Sequence, residues 1–231
     1  PKPRVPVLMY HSISELKSPP RQPYFETSTS PNVFRAQMNL IRKAGYATLF
    51  PSDIPPWLET ATPTSKAVCL TFDDGYENFL TEAFPVLREF DFKSTVYIPT
   101  GLVGCTGPNG CKLLGWSQIR ELAGAGVNFG SHTVTHQKME CLSDLEMRKE
   151  LADSKNSLEG FLGREIWDFS HPYAFPEQDY SYTIRYLSQV RAAGYKTEMT
   201  TIIGSIKARN ETLKMQRLPI NDFDDHSLLA A

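Results

Sequence analysis

The chain has 231 residues, of which 41% are hydrophobic and 22% charged, and its formal net charge at pH 7 is -2. This length and composition fit one globular domain with a substantial core, and the small net charge provides no basic field that would attract nucleic acid. No apolar run approaches the roughly 20 residues that a membrane-spanning helix needs. We therefore expect a single domain over residues 1–231, with no nucleic-acid partner and no transmembrane segment.

Short apolar runs alternate along the chain with segments whose apolar residues recur every three or four positions, and these patterns predict strands and helices respectively. The predicted strands are Val5–Met9, Tyr46–Leu49, Ala67–Phe72, Ser94–Pro99, Val127–Gly130, Trp167–Ser170, Tyr195–Glu198 and Thr201–Ile203. The predicted helices are Pro31–Ala44, Glu77–Phe90, Ser117–Ala125, Ser143–Leu162 and Ser181–Ala193. Two stretches rich in Ser, Pro and Thr, 12–32 and 51–66, are predicted to be loops.

Signals at the helix ends predict how these elements are joined. Ser143 and Glu146 form a capping box at the start of the longest helix, whose buried stripe is predicted to be Leu145, Leu151, Leu158 and Phe161. Three helices end in an Ala-Gly turn, at Gly45, Gly126 and Gly194, where glycine readily adopts the left-handed conformation. This repeated helix-to-strand turn favours a parallel β/α sheet, open or closed into a barrel, with the chemistry at the carboxyl ends of its strands.

Cysteine usage and the start of the chain bear on the cellular compartment. Cys105 and Cys111 flank a flexible Thr-Gly-Pro-Asn-Gly loop that could close into a small disulfide ring, which would suit an exported protein. Cys69 lies in an apolar run and is expected to be a buried free thiol. The chain starts at Pro1 without an initiator Met, which fits either a trimmed chain or a mature form that has lost a signal peptide. We expect an extracytoplasmic protein that is secreted, periplasmic or associated with the cell envelope.

Two acidic residues follow one of the predicted strands. Asp73 and Asp74 come directly after Ala67–Phe72, and Gly75 permits a sharp turn into the next helix. Adjacent side chains on an extended segment point in roughly opposite directions, so the two carboxylates can take different roles. An ordinary Asp-Asp-Gly turn, in which Asp74 caps the helix, is the alternative interpretation.

Two histidines follow a second predicted strand. His132 and His136 are four residues apart, a spacing that puts both rings on one face of a helix or of a strand. With one carboxylate they would make a three-ligand site with open coordination positions, as expected of a catalytic metal that activates water. The same ligand set also serves non-haem iron oxygenases, and two unconnected surface histidines are the alternative without a metal.

A third segment, Asp168–Pro176, combines a predicted strand end with a histidine and several aromatic residues. Pro172 fixes the turn, and the backbone N–H of Tyr173 could donate a hydrogen bond to an oxyanion. A rigid aromatic loop that covers the core is the alternative interpretation.

Together, these segments resemble those of the polysaccharide deacetylases, carbohydrate esterase family four. Thr71–Gly75 is similar to the family's first motif and Ser131–His136 to its second, and the likeness extends to Val7–Ser12 and Gly115–Ile119. Within Val7–Ser12, the pair Tyr10-His11 looks like the opening of the exopolysaccharide poly-N-acetylglucosamine deacetylases. The resemblance implies an α/β fold, a distorted (β/α)7 barrel of one catalytic domain, with the site at the carboxyl ends of the strands.

The resemblance also implies roles for individual residues. Asp73 would be the catalytic base, and the ligands of a divalent metal would be Asp74, His132 and His136. Zinc is the expected ion, with cobalt, nickel or manganese as alternatives. The implied reaction is hydrolysis of acetyl groups from an N-acetylated, N-acetylglucosamine-type glycan by a monomeric enzyme, with release of acetate.

The chain departs from the family pattern at the third, fourth and fifth motifs. The segment Ser170–Ala174 lacks the usual Arg that orients the base, so the sequence leaves the partner of Asp73 open. The usual fourth-motif Asp and Trp are not recognisable, and Ile220 replaces the fifth-motif His that would act as general acid. The candidates for that proton donor are, in order, His171, His11 and His226.

Several large side chains near these motifs are expected to contact the substrate. The side chains expected to line the acetyl pocket and to stack on sugar rings are Trp116, Tyr173, Phe175 and Leu218. Two alternatives remain enzymes of the same fold, an acetylxylan esterase and a cyclic-amide hydrolase. A third is a carbohydrate-binding protein that keeps the metal without turnover, and the retained Asp73 argues against it because a binder needs no base.

Overall fold

The computed structural model describes residues 3–15, 27–107, 110–207 and 212–224. The strands of these residues are, in chain order, β1 (Val5–Tyr10), β2 (Ser12–Ile13), β3 (Ser28–Thr29), β4 (Ala47–Leu49), β5 (Ala67–Phe72), β6 (Thr95–Ile98), β7 (Asn128–Ser131), β8 (Asp168–Ser170), β9 (Thr197–Ile203), β10 (Ser205–Ile206) and β11 (Met215–Pro219). The α-helices are α1 (Pro31–Lys43), α2 (Ile54–Thr60), α3 (Phe84–Phe90), α4 (Trp116–Gly124), α5 (Asp144–Leu162) and α6 (Tyr180–Ala192). Shorter helical segments are the π-helix Phe79–Ala83 and the 3-10 helices Pro51–Asp53, Thr100–Leu102 and Met139–Cys141.

Seven parallel strands of the described residues close into a barrel in the order β1-β5-β6-β7-β8-β9-β11. Strand β1 completes the ring because Leu8 pairs with Leu70 of β5 on one side and with Leu218 of β11 on the other. Strand β4 pairs with the first half of β5, and β10 runs antiparallel to β1, so neither belongs to the ring. The expected (β/α)7 barrel is confirmed, and one end of it collects the carboxyl ends of all seven strands.

The structure contains elements inside both predicted loops. Helix α2 lies within 51–66, and the short parallel strands β2 and β3 lie within 12–32, of which residues 16–26 are outside the described residues. The predicted helix Glu77–Phe90 is a π-helical segment followed by α3, which begins at Phe84 with a proline in its first turn. The prediction of a helix there is thus confirmed in outline. The loop prediction for 51–66 failed because proline, which signals loops, is also common in the first turn of a helix, as it is in α2.

The strand predictions were wrong near the end of the chain. Tyr195–Glu198 and Thr201–Ile203, predicted as separate strands, form the single strand β9, whose centre is buried. Strand β11 was not predicted because Gln216 and Arg217 interrupt its apolar residues. Arg217 is nevertheless fully buried, so this strand places a charged side chain inside the barrel.

The longest helix, α5, buries Leu151 and Leu158 as predicted, but not Leu145. Leu145 is 60% exposed, whereas the buried residues are Met147, Leu151, Ser154 and Leu158. Leu145 was wrongly included because a residue two positions before Met147 lies on the opposite side of a helix. The predicted capping box is confirmed, since Ser143 Oγ accepts the Glu146 N–H and the Glu146 carboxylate accepts the Ser143 N–H.

None of the cysteines of the described residues is in a disulfide bond. Cys69 is buried, as predicted. Cys105 and Cys111 are also unlinked, so the small disulfide ring suggested by their spacing is not present in the structure. Across the part of the chain that the structure describes, no helix has both the length and the apolar character needed to cross a membrane.

Candidate active site

A cavity of about 470 Å³ opens where the barrel strands end. Its walls come from residues at or just after the ends of β1, β5, β7, β8, β9 and β11, the location expected for the site of a β/α barrel. The residues predicted from the sequence that line it are His11, Asp73, Asp74, His132, His136, His171, Tyr173 and Phe175.

Two predicted substrate contacts lie elsewhere in the described residues. The Trp116 ring packs on the ring of Phe161, with 4.7 Å between the centroids. Leu218 pairs with Leu8 in the barrel wall, and the next two residues, Pro219 and Ile220, line the cavity in its place. Trp116 and Leu218 therefore support the site by packing rather than by forming the wall of this cavity.

Asp74, His132 and His136 bring three potential metal ligands together. Asp74 Oδ1 lies 3.1 Å from His136 Nε2 and 3.4 Å from His132 Nε2, and the three ligand atoms are all within 4.8 Å of one another. His132 Nδ1 lies 2.7 Å from the carbonyl oxygen of Ser170, so Nδ1 carries the proton and Nε2 is left with a lone pair. Two imidazoles and one carboxylate are a donor set that fits zinc or a similar divalent ion.

The backbone at this cluster is held in an uncommon conformation. Asp74, Thr133 and His136 have φ angles of 69°, 69° and 56°, in the left-handed region that residues other than glycine rarely adopt. Each such residue costs on the order of 1 to 3 kcal/mol, and these conformations persist where the surrounding structure enforces them, often at functional sites. Gly75, next to Asp74, has a φ of 64°, and a Cβ at this position would come within 2.7 Å of Ile98 Cδ1, so a substitution would strain the backbone and displace the end of the Ile98 side chain.

Asp73 is buried, with 2% of its surface exposed, and is paired with Arg217. Arg217 Nη1 donates to Asp73 Oδ1 at 2.8 Å and Nη2 donates to Oδ2 at 2.7 Å, a bidentate pair. Burial alone would raise the pKa of the Asp73 carboxyl, but the charge and hydrogen bonds of Arg217 outweigh burial and hold this pKa below its ordinary value. Asp73 is therefore ionised at neutral pH.

Further hydrogen bonds fix the guanidinium of Arg217. Its Nε donates to the carbonyl oxygen of Thr200 at 2.8 Å, and its Nη2 also donates to Ser170 Oγ at 2.9 Å. Ser170 Oγ in turn lies 3.3 Å from Asp73 Oδ2. The orientation of Asp73 is thus set by two other barrel strands, β8 and β11, and by the backbone of β9.

Arg217 is the functional residue that the sequence analysis missed. The family's usual Arg is absent from Ser170–Ala174, and the structure supplies a guanidinium from β11 instead. The only local signal is an alternation in which Met215 and Arg217 face inward while Gln216 is partly exposed. That alternation identifies Arg217 only once residues 215–219 are recognised as a barrel strand.

The candidate proton donors differ in their surroundings. His171 is fully buried, its Nε2 lies 2.7 Å from the Tyr182 hydroxyl, and burial lowers its pKa to about 3. His11 is half-buried and lines the cavity; burial lowers its pKa too, while the charges of Asp74 and Asp73 oppose that effect. His226 lies outside the described residues.

Tyr173 and Phe175 form one wall of the cavity. The Tyr173 ring is 49% exposed and lies 4.8 Å from the ring of His136, between centroids, and its φ of 59° is also in the left-handed region. Phe175 is buried against His171, and its backbone N–H donates to Thr201 Oγ1 at 2.8 Å. The segment after β8 is therefore held in a fixed conformation beside the metal-ligand cluster.

Residues 60–197 match the family model of the polysaccharide deacetylases, which is more than half of the chain. The chain belongs to the polysaccharide deacetylase family. The matched range contains Asp73, Asp74, His132 and His136, whereas Arg217 and His11 lie outside it.

Individual polysaccharide deacetylases resemble the chain over different lengths. YxkH of Bacillus subtilis, named for this family, is 27% identical over 222 residues, which are 94% of this chain and 72% of YxkH. The solved structure of the Streptococcus pyogenes deacetylase PplD in complex with acetate is 28% identical, covers 100% of this chain and 98% of its own, and superposes with a TM-score of 0.83. The poly-beta-1,6-N-acetyl-D-glucosamine N-deacetylase of Escherichia coli is 33% identical over 119 residues, which are 46% of this chain and 18% of that enzyme.

Proposed function

We propose that the chain is a divalent-metal-dependent deacetylase that hydrolyses the N-acetyl groups of an N-acetylglucosamine-type glycan and releases acetate. The observation that carries this proposal is the ionised carboxylate of Asp73, held by Arg217 in the same cavity as the cluster of Asp74, His132 and His136. A base beside a metal-ligand set is the arrangement that hydrolytic metal sites use. A protein that only binds glycans has no need of a buried Arg that keeps a carboxylate ionised.

The mechanism assigns a task to each group that lines the cavity. A divalent ion held by Asp74, His132 and His136 would polarise the acetamide carbonyl and lower the pKa of a bound water. Asp73 accepts the proton of the attacking water, because its carboxylate is ionised at neutral pH. The backbone N–H of Tyr173, at the rim of the cavity, donates to the oxyanion that develops on the acetyl carbonyl.

The proposed substrate class follows from similar proteins and from the size of the cavity. The E. coli enzyme is named for poly-beta-1,6-N-acetyl-D-glucosamine, and the PplD structure is a complex with acetate, which would be the product here. The cavity has apolar walls at Met9, Phe175 and Ile220, which suit the methyl of an acetyl group. Because such glycans are found outside the cytoplasm, we also propose an extracytoplasmic location.

Removal of the metal tests this function directly. Protein treated with a chelator is expected to lose acetate release from N-acetylglucosamine oligomers, and added zinc, cobalt, nickel or manganese is expected to restore it. Parallel assays on acetylxylan and on cyclic imides separate the two alternative hydrolases of the same fold. Glycan binding without acetate release under every metal condition would contradict the proposal and favour a binding protein.

We further propose His11, rather than His171, as the donor that protonates the leaving amine. The His11 ring lines the cavity beside two carboxylates, which stabilise an imidazolium against the effect of burial. His171 Nε2 is engaged with the Tyr182 hydroxyl, and a pKa of about 3 leaves the ring neutral at physiological pH.

The two histidines are expected to give different phenotypes. His11→Gln should lower kcat by about 100-fold or more, the usual scale of general acid catalysis, with little change in melting temperature. His171→Gln should lower the melting temperature, because it breaks a buried contact, and reduce kcat by less than about tenfold. Measured kcat and melting curves for both variants decide the assignment; the reverse order of kcat values would restore His171 as the donor.

A further inference from the structure

The loop that carries the two histidine ligands has an unusual backbone. Thr133 and His136 both have positive φ angles, 69° and 56°, although neither is glycine. Residues with side chains keep this conformation only where neighbouring groups hold them in it. The position of the His136 ring therefore depends on the contacts that fix residues 133–136.

Glu150 of α5 makes several of those contacts. Its Oε2 accepts hydrogen bonds from the backbone N–H groups of Val134, at 2.7 Å, and Thr135, at 2.9 Å. Its Oε1 accepts a third from the Thr135 hydroxyl, at 2.8 Å. Two successive backbone N–H groups that point at one oxygen form a natural site for an anion, and the negative charge strengthens each bond. Glu150 is neither one of the three clustered ligands nor part of the cavity wall.

Helix α5 holds both ends of the histidine motif from one of its faces. Ser154 lies four residues after Glu150 and thus on the same side of the helix. Its Oγ is 2.6 Å from the Oγ of Ser131, the residue before His132. The 3-10 helix Thr100–Leu102 donates two backbone hydrogen bonds to the loop from another direction. The loop is thus fixed at each ligand by a regular element of the barrel.

We propose that Glu150 is a positioning residue for the metal site, which holds the loop so that His136 Nε2 stays 3.1 Å from Asp74 Oδ1 and thereby sets the affinity for the metal. This inference rests on the proposed metal-dependent function. The proposed role depends on the geometry of the three hydrogen bonds more than on the negative charge of Glu150. A Gln side chain at this position can keep all three bonds, because its carbonyl oxygen accepts both N–H groups and its NH₂ group donates to the Thr135 hydroxyl.

The experiment measures the Kd for zinc of chelator-stripped wild type and variants, together with their melting temperatures. Glu150→Ala is expected to weaken zinc binding by about 10- to 100-fold, the usual effect of losing a group that orients a ligand. Glu150→Gln should remain within about threefold of the wild type. Asp153→Ala, which removes an exposed carboxylate from the same helix, is the matched control and should bind like the wild type. At saturating zinc, kcat of Glu150→Ala should recover toward the wild-type value, since the ligands are intact.

Thr135→Ala covers the case in which Glu150→Ala does not fold. It removes only one of the three bonds from an exposed position, and should weaken zinc binding by roughly threefold. Wild-type protein that binds no zinc would refute the proposed metal site itself. If the wild type binds zinc and both Glu150→Ala and Thr135→Ala bind it as Asp153→Ala does, the positioning role is refuted. Equal loss of affinity in Glu150→Gln and Glu150→Ala would refute it too, because charge alone would then account for the effect.

Discussion

Replacing Arg217 with Met is expected to lower the free energy of unfolding by about 3 to 5 kcal/mol, because it leaves the buried carboxylate of Asp73 without its partner. The same change should lower kcat by about 100-fold, since the base is no longer held in one orientation. Urea unfolding at pH 7 measures the first effect, and acetate release at saturating substrate measures the second.

Two control variants separate charge from orientation at Arg217. Arg217→Lys keeps the charge but cannot make the bidentate pair, so it should fold better than Arg217→Met and still be impaired in kcat. The double variant Arg217→Met, Asp73→Asn removes both charges and should regain part of the lost stability while remaining inactive. If Arg217→Met were as stable and as active as the wild type, the ion pair would have no role in stability or in catalysis.

The pH dependence of Arg217→Met provides an independent check. In the wild type the folded-state pKa of Asp73 is lowered, so the pair's stabilisation is fully present above the ordinary carboxyl pKa of about 3.9. That stabilisation is lost as the pH falls through the lowered pKa. Without Arg217, the largest influence that opposes burial is gone and the pKa of Asp73 is expected to rise, so the acid limb of the activity profile should move to higher pH.

The second large effect is a contrast between two neighbouring carboxylates. Asp73→Asn is expected to lower kcat by about 1000-fold while the protein still binds zinc, because the base is lost and the three ligands remain. Asp74→Asn should lose zinc at concentrations that saturate the wild type, and activity with it, because a carboxylate ligand is removed. Metal content after dialysis and acetate release distinguish the two.

These adjacent substitutions control for each other, since both replace a carboxylate by an amide of the same size. Excess zinc should restore some activity to Asp74→Asn and none to Asp73→Asn. Equal zinc content in all three proteins would contradict the assignment of Asp74 as a ligand. Wild-type turnover in Asp73→Asn would contradict the assignment of the base.

Much of the fold could be predicted because its signals are local. Strand β5 was predicted with its observed bounds, since Ala67–Phe72 is apolar apart from Thr71, and the cap of α5 was predicted from Ser143 and Glu146 alone. Strand β11 could not be predicted in this way. Its charged residue is buried only because the closed barrel supplies a carboxylate and a carbonyl oxygen around it.

In the candidate site, too, the residues with a local sequence pattern could be predicted and those with distant partners could not. Asp73 and Asp74 are neighbours in the sequence, and the two histidines lie four residues apart, so each pair has a pattern that can be recognised. Arg217 is 144 residues from Asp73, and nothing near Asp73 in the sequence points to it. The hydrogen bonds of Glu150 to the histidine loop likewise depend on how α5 packs beside β7. Such partners become visible only in the three-dimensional structure.

The order of the barrel strands has a consequence for incomplete chains. Asp74 follows β5, and His132 and His136 follow β7, so all three lie in the first 136 residues. Arg217 belongs to β11, the strand that closes the ring between β9 and β1. A chain truncated before Met215 would retain the proposed metal ligands and the proposed base, yet lack the Arg217 guanidinium that pairs with Asp73. We therefore expect such a chain to be inactive even if it still binds a metal, because Arg217 is supplied only by the strand that closes the ring.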